Sequence, residues 1–283
     1  MTELTAGKIS DLWTAIRKER PLVHCITNVI TVNDCANILL AAGASPTMAH
    51  HPLEAAEVTE GCRALVCNLG ATEAFDAMLA AAERAKELSH PIVLDPVGVS
   101  GSSYRRGLCF TLMEHAMPSV IRGNFSEIRA LATHSGTTAG VDAAREDRIH
   151  GNVLEETGEM VRRFAAQCGT VVIASGETDV ISDGEKVYAV HNGSTMMSRI
   201  TGSGCMASSL LGAFLSMENT PESAAASCAV MGIGGEIAAR KTRELRAGTG
   251  TYRTQLLDAV SLLKRAQITE MLRAERLIAG GNE

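Results

Sequence analysis

Short apolar runs of strand length alternate with segments of helical periodicity along most of this chain of 283 residues. Residues 22–27 form the first apolar run, and Val32–Ala42 follows with apolar side chains at helical spacing and Gly43 as its stop. Residues 64–69 and 71–88 repeat this order of strand and helix. Strands that are separated by helices pair in parallel, so the pattern predicts an α/β fold. We expect a doubly wound, mostly parallel sheet with helices on both faces.

Most of the remaining chain fits the same scheme, and no linker, repeat or low-complexity tract divides it. We therefore expect a single domain over residues 1–283. The polar segment 133–158 is rich in glycine and charge, and we interpret it as a loop insertion or a flap.

The same patterns predict the remaining elements. Strands are expected at 44–48, 91–95, 119–121 and 170–174, and a hairpin is expected of 180–182 with 187–190 around Asp183 and Gly184. Helices are expected from Pro52, at 104–116 and at 124–132, and the chain from Gly202 to the end is expected to be mostly helix.

The charge balance and the composition exclude a nucleic-acid binder. Lys and Arg number 26 against 32 Asp and Glu, so the net charge is −6, and no basic stripe is present to neutralise phosphates. Aromatic residues make up 3% of the chain, which leaves few side chains for stacking on bases.

The apolar runs and the cysteines indicate the cellular compartment in which the protein is expected. No apolar run reaches the length of a membrane span, and the N-terminal stretch lacks the pattern of a secretory signal. The eight cysteines form no CxxC pair, and most of them lie in apolar runs. Free thiols that serve as small core residues are typical of a reducing compartment. We expect a cytoplasmic protein that does not contact membranes.

Polar and glycine residues concentrate just after the predicted strands. In an open parallel sheet, ligands bind beyond the carboxyl ends of the strands, so these positions predict a ligand crevice. Loops at the opposite end of a sheet are polar too, so this pattern alone does not decide the site. The residues at the strand ends are Asn28, Met48, Asn68 to Gly70, Asp95 to Gly98, Arg122 to Asn124, and Ser175 with Gly176.

A glycine-rich turn opens the long helix that begins near Gly202. Two glycines and two hydroxyl residues, Thr201 to Gly204, precede Cys205. Such a turn can direct several backbone N–H groups at one anion, with help from the helix dipole. An ordinary glycine-rich helix start is the alternative. The turn is neither a Walker A loop nor a dinucleotide fingerprint, because it lacks the Gly-Lys-Ser/Thr ending and comes late in the chain.

Cys205 lies in the first turn of that helix, where the helix N-terminus is expected to lower the pKa of a thiol. A thiolate there could accept a proton from a substrate hydroxyl. The alternatives are that Cys205 only packs, or that it is the nucleophile of a hydrolase, for which no histidine base is evident.

Two carboxylates are candidates for Mg²⁺. Asp95 ends a buried strand, which delivers its carboxylate to the crevice on a rigid element. Glu127 follows Asn124 by three residues, so it can reach Mg²⁺ directly or through water, or act as the partner in a capping box. Two carboxylates with water ligands suit Mg²⁺, which often bridges substrate phosphates.

Taken together, these motifs closely resemble the hydroxyethylthiazole kinase family, a thiamine-salvage group within the ribokinase-like enzymes. The resemblance runs from about residue 22 to the C-terminal helices. It rests on Thr27-Asn28 with Val32-Asn33 and Ala36-Asn37, Gly43 to Met48, Leu94 to Gly98, Arg122 to Glu127, and Thr201 to Cys205.

The resemblance implies ATP-dependent phosphorylation of the hydroxyl of 4-methyl-5-(2-hydroxyethyl)thiazole, with Mg²⁺. It also implies a homotrimer whose sites lie between subunits. Cys205 occupies the position where most ribokinase-like enzymes have an aspartate base. The other implied site residues are Met48, Gly202 and Asn28 for the thiazole, Arg122 and Ser175 for ATP, and Asp95 and Glu127 for the metal and phosphates.

Three other functions remain open at this point. One is another ribokinase-like kinase, of the hydroxymethylpyrimidine or pyridoxal type, and another is an ADP- or ATP-dependent dehydratase of hydrated nicotinamide cofactors. The third is a regulator that binds a nucleotide or a thiazole without catalysis, against which the set of Asp95, Glu127 and Arg122 argues.

Overall fold

The computed structural model describes residues 4–134 and 152–278. The helices are α1 (Ala6–Glu19), α2 (Val32–Ala42), α3 (Pro52–Glu60), α4 (Phe75–Glu87), α5 (Ser103–His115), α6 (Phe125–His134), α7 (Asn152–Cys168), α8 (Ser203–Leu215), α9 (Pro221–Glu244), α10 (Thr249–Ser261) and α11 (Arg265–Met271). The strands are β1 (Leu22–Ile26), β2 (Ser45–Thr47), β3 (Ala64–Asn68), β4 (Ile92–Asp95), β5 (Val120–Asn124), β6 (Val171–Ser175), β7 (Asp179–Ser182), β8 (Val187–Val190) and β9 (Ala274–Ile278).

These strands form a nine-stranded sheet in the order β2-β1-β3-β4-β5-β6-β7-β8-β9. The pairs from β2 through β6 are parallel, and β7, β8 and β9 continue the sheet in antiparallel pairs. Each parallel connection contains a helix, as the alternating pattern predicts. The predicted mostly parallel α/β sheet is confirmed, and so is the β7–β8 hairpin.

Two hydrophobic cores lie on the two faces of the sheet. Helices α1, α2, α8, α9, α10 and α11 contribute to one core, and α3, α4, α5, α6 and α7 to the other. Alanine is abundant in both cores, because small side chains let the helices approach the sheet closely. Within the described residues, no helix is both long and apolar enough to span a membrane.

Three expectations about the elements were wrong. The fifth strand runs to Asn124 instead of ending at residue 121, so Arg122 lies inside β5 and not after it. Its pairing with β6 continues through Asn124 and Ser175, and this pairing outweighs the polar side chains and the glycine that suggested a turn. The C-terminal strand β9 was not expected, because its sequence is short and charged, as edge strands often are.

The third difference concerns the predicted loop at 133–158. Helix α6 continues to His134, and α7 already begins at Asn152, so both ends of the segment are helical. The middle of the predicted loop, residues 135–151, lies outside the described residues.

Helix α8 packs directly on the sheet, and Gly212 makes this close approach possible. A β-carbon at Gly212 would lie 2.7 Å from Cγ2 of Val66 in β3 and 3.0 Å from Cγ1 of Val23 in β1. The absence of a side chain here therefore sets how closely the C-terminal half of α8 lies on the sheet.

Substitution of Gly212 by alanine should destabilise the protein by about 1–3 kcal/mol, because the added methyl group overpacks the interface between α8 and the sheet. The matched control is Gly107→Ala in α5, where a β-carbon meets nothing within 4 Å. There the higher helix propensity of alanine should stabilise the protein by about 0.5–1 kcal/mol. Chemical denaturation of both variants measures the difference, and a stabilised Gly212→Ala protein would contradict the close-approach argument.

Candidate active site

A crevice opens where the strand order reverses. The chain passes from β1 outward to β2 and then returns to β3 on the other side of β1, so the connections leave in opposite directions. Asn28 follows β1 at this point, and Asn68 is the last residue of β3. The first turn of α8 lies against them, because Nδ2 of Asn28 is 3.6 Å and Nδ2 of Asn68 is 3.2 Å from Sγ of Cys205.

The turn at the head of α8 is shaped by Gly202. This residue is the N-cap of α8 with a φ of 83°, a conformation that favours glycine. A β-carbon on it would lie 2.7 Å from Cγ2 of the buried Thr31. The first helical N–H bonded to Gly202 is that of Met206, so the N–H groups of 203–205 have no backbone or side-chain acceptor among the described residues. These N–H groups are therefore free to bind an anion, and the anion turn stays a prediction.

Cys205 does not have the lowered pKa that its position suggested. Burial raises the pKa of the Cys205 thiol above its usual value, and the nearby Asp95 carboxylate raises it further. Hydrogen bonds from Asn68 and Asn28 act in the opposite direction without cancelling the rise. The expectation of a lowered pKa from the helix N-terminus was wrong, because the loss of water around the buried sulfur is the largest influence on this pKa.

Asp95 ends β4 beside Asn68, its partner in the parallel register. The side chain is 4% exposed, and its Oδ2 accepts hydrogen bonds from Nδ2 of Asn68 at 2.9 Å and Oγ of Ser208 at 2.8 Å. Burial raises the pKa of Asp95 to about 6, although the Arg122 guanidinium opposes the rise. The other oxygen, Oδ1, accepts no hydrogen bond within the described residues.

Arg122 lies beneath the first turn of α8. Its Nη1 donates to the carbonyl of Gly204 at 3.1 Å and to Oγ of Ser208 at 3.4 Å. The guanidinium is buried and acts on the Asp95 carboxylate as a nearby positive charge. Arg122 therefore places a permanent positive charge between the carboxylate and the anion turn.

Glu127 forms the capping box that was one of its two expected roles. Its Oε2 accepts the N–H of Asn124 at 2.9 Å, and the Asn124 side chain accepts the N–H of Glu127 at 2.9 Å. Its Oε1 accepts the N–H of Gly98 at 2.8 Å, which fixes the loop after β4. Both carboxylate oxygens are thus already bonded to backbone, so a contact with a metal through water suits Glu127 better than direct ligation.

Met48 and Ser175 lie at the edges of this arrangement. Met48 follows β2 and packs partly buried against one of the cores, next to Ala49, whose carbonyl accepts a hydrogen bond from Nε2 of His24 at 2.8 Å. Ser175 is the last residue of β6, and its Oγ donates to the carbonyl of Gly123 at 3.1 Å. Asn28, Asp95, Arg122 and Cys205 are brought together, whereas Met48 and Ser175 are placed on opposite sides of them along the strand order.

Comparison with known proteins decides the family. The model of the hydroxyethylthiazole kinase family matches residues 13–266. Hydroxyethylthiazole kinase 1 of Methanosphaera stadtmanae is 40% identical over 98% of this chain and 100% of its own length. The chain belongs to the hydroxyethylthiazole kinase family. The solved hydroxyethylthiazole kinase from Pyrococcus horikoshii OT3 superposes with a TM-score of 0.85 at 31% identity, covering 96% of this chain and 100% of that one.

A more distant likeness shows the fold alone. A ribokinase-like superfamily protein from Enterococcus faecalis gives a TM-score of 0.56 at 13% identity, covering 85% of this chain and 87% of that one. The resemblance drawn from the sequence motifs is therefore confirmed at the level of the hydroxyethylthiazole kinase family and of the ribokinase-like fold.

Two residues of the site, Asn68 and Ser208, were not predicted from the sequence to have a functional role in this member of the hydroxyethylthiazole kinase family. Asn68 was noted only as a polar residue at a strand end, and Ser208 was not noted at all. The sequence feature that could have identified Asn68 is an apolar run of strand length that ends in an amide side chain. Ser208 lies one helical turn after Cys205, so the same face of α8 carries both side chains.

Replacement of Gly202 by valine should abolish turnover, because a branched side chain collides with Thr31 and cannot adopt the positive φ without strain. The matched control is Gly248→Val. Gly248 is also a helix N-cap, but its φ is −105° and a β-carbon there meets nothing within 4 Å. A steady-state kinase assay on both variants is the measurement, and a normal kcat in folded Gly202→Val would remove the anion-turn interpretation.

Proposed function

We propose that this chain transfers the γ-phosphoryl group of ATP to the hydroxyl of 4-methyl-5-(2-hydroxyethyl)thiazole, a step of thiamine biosynthesis or salvage. The observation that carries the proposal is that a turn with free N–H groups, a buried cation and a buried carboxylate lie together at the N-terminal end of α8, in a member of this kinase family. Family membership also favours this activity over the pyridoxal, hydroxymethylpyrimidine and dehydratase alternatives.

The site divides into an acceptor end and a nucleotide end. We assign the thiazole to the acceptor end, between Met48, Asn28 and Gly202, where β1, β2 and the head of α8 meet. ATP is assigned to the side of Arg122 and Ser175, toward β5 and β6. In this arrangement the γ-phosphate faces the free N–H groups of the α8 turn.

Phosphoryl transfer needs positioning and charge neutralisation more than covalent help from the protein. The guanidinium of Arg122 and the N–H groups at 203–205 supply fixed positive charge where the transferred oxygens become most negative. Because these donors are held by buried bonds, they do not have to reorganise during the reaction.

The residues around Asp95 fit a magnesium ion that is held by one carboxylate and several waters. Its Oδ1 is without a hydrogen-bond partner among the described residues, and no cluster of three metal-binding side chains occurs in that part of the chain. Such a sparse set suits Mg²⁺, which keeps most of its waters and neutralises the charge of phosphate oxygens. We assign Asp95 to direct contact and Glu127 to contact through water.

Cys205 faces the acceptor hydroxyl in this proposal. In a loose transition state the hydroxyl proton leaves late, so the reaction tolerates a weak proton acceptor. The raised pKa of Cys205 keeps it mainly a neutral thiol at neutral pH, which makes orientation of the hydroxyl the larger part of its contribution.

The assembly and the compartment are also inferred. We propose a homotrimer with sites between subunits, supported by the exposed Val29 and Ile30, which directly follow Asn28 in the site. A single kinase domain is supported by the nine strands of one sheet, and a cytoplasmic location by the eight free thiols. Light scattering on the purified protein tests the trimer.

A coupled assay of ADP release tests the proposed function directly. The thiazole alcohol, a hydroxymethylpyrimidine and pyridoxal are offered in turn with ATP and Mg²⁺. We expect ADP release that depends on the thiazole alcohol. Release that depends on another alcohol, or binding without turnover, would overturn the proposal.

Cys205→Asp should keep or raise kcat, because the amides of Asn28 and Asn68 that donate to sulfur can donate to a carboxylate, which is a better proton acceptor. Cys205→Ser should lower kcat modestly, by up to about tenfold, because a hydroxyl still orients the acceptor. Loss of all activity in a folded Cys205→Asp protein would count against contact between residue 205 and the acceptor hydroxyl.

The apparent affinity for Mg²⁺ should weaken as the pH falls through about 6, because protons then compete for the Asp95 carboxylate. Titration of activity with Mg²⁺ between pH 5.5 and 8, values set around that pKa of about 6, measures this shift. Asp95→Asn should remove most activity over the whole range.

Glu127→Gln provides the comparison for Asp95. It should raise the Mg²⁺ requirement only modestly while lowering thermal stability, since one backbone N–H loses its carboxylate acceptor. An unchanged Mg²⁺ titration in Glu127→Gln would leave this residue with the capping role alone.

A further inference from the structure

Both polar atoms of the Asn68 side chain have hydrogen-bond partners. It is 1% exposed at the end of β3. Its Nδ2 donates to Oδ2 of Asp95 at 2.9 Å and to Sγ of Cys205 at 3.2 Å. Its Oδ1 accepts the N–H of Gly70 at 2.9 Å and Nδ2 of Asn28 at 3.3 Å.

These partners allow only one orientation of the amide. Rotation by 180° would point the Asn68 oxygen at the Asp95 carboxylate and its NH₂ group at the N–H of Gly70, so acceptors would face acceptors and donors would face donors. The two hydrogens of Nδ2 are therefore fixed, one for the carboxylate and one for the sulfur.

We propose that Asn68 is a positioning residue for phosphoryl transfer, whose single NH₂ group holds Asp95 at the metal end and Cys205 at the acceptor end in a fixed spacing. The inference rests on the proposed function and deepens it. Within the described residues, Asn68 alone donates to both groups: Ser208 donates to the same oxygen of Asp95 without contacting the thiol, and Asn28 contacts the thiol without Asp95.

A contact of this kind affects the transfer step more than substrate binding. Neither Asp95 nor Cys205 is placed among the residues that hold the thiazole ring, so their spacing should change kcat more than KM. A purely structural amide would instead lower stability and leave the two kinetic constants in proportion.

The test is a double-mutant cycle that combines Asn68→Ala with Cys205→Ala, with Ser208→Ala as the matched control. In the native background Asn68→Ala should lower kcat by about tenfold or more, equivalent to about 1.4 kcal/mol or more, because the bonds to both Asp95 and Cys205 are lost, with a smaller change in KM for the thiazole alcohol. In the Cys205→Ala background the effect of Asn68→Ala on kcat should shrink, because the bond to Cys205 is no longer there to be lost. Ser208→Ala should have the same effect in both backgrounds.

Equal losses from Asn68→Ala in both backgrounds would overturn the proposal, since Asn68 would then act without Cys205. If Asn68→Ala fails to fold, Asn68→Ser replaces it in the same cycle: the serine hydroxyl has a single hydrogen and cannot donate to Asp95 and Cys205 together, and it adds no charge beside Asp95. Thermal unfolding of each variant confirms that folded protein is compared. Absence of thiazole-dependent ADP release in the native protein would instead contradict the proposed function, so the two failures are distinguishable.

Discussion

A carboxylate buried at the end of β4 has to be compensated, and the rest of the site is arranged around this requirement. Asp95 ends among apolar strands with almost no contact with water, which makes its charged form costly. The compensation comes from three other elements: Asn68 from β3, Ser208 from α8 and the Arg122 charge from β5. Asn68 and Arg122 also contact the first turn of α8, the helix to which Ser208 belongs. The requirement of one charge therefore fixes the anion turn relative to the strand ends.

The close approach of α8 to the sheet is the second part of the same arrangement. Without a side chain at Gly212, the helix lies against β1 and β3, and without one at Gly202 its first turn lies against Thr31. The ion pair between the buried Asp34 of α2 and the exposed Arg253 of α10 joins the neighbouring helices beside that turn. Backbone N–H groups point in a constant direction only when the helix that carries them cannot shift, so the proposed anion binding depends on this tight packing.

The order of strands and helices could be predicted from the sequence, because it follows from the hydrophobic periodicity of each segment. The residues at the strand ends could be placed at one edge of the sheet, because parallel strands present their carboxyl ends together. Asn28 and Asp95 were predicted from the strand ends, and the Gly202 turn from its glycines at the head of a helix; their functional roles stay predictions. Arg122 was expected after its strand and lies within it, since the pairing of β5 with β6 is a long-range property that local composition does not report. The direction of the Cys205 pKa shift was also missed. The helix N-terminus is visible in the sequence, but the burial that outweighs it is produced by elements distant in the chain.

The two pKa shifts of the site have one physical origin. Burial at the junction of β3, β4 and α8 raises the pKa of Asp95 and that of Cys205, and the negative charge of Asp95 adds to the rise at the thiol. Asp95 would also raise the pKa of a carboxylate at position 205, which makes that carboxylate a better proton acceptor, whereas a neutral thiol adds no charge to the junction. The Asn68 amide lies between the two groups and donates to both, so it lowers the cost of either being negative. With a neutral thiol at position 205, Asp95 is the one buried anion of the junction, and Asn68 and Ser208 already donate hydrogen bonds to it before a negatively charged nucleotide binds.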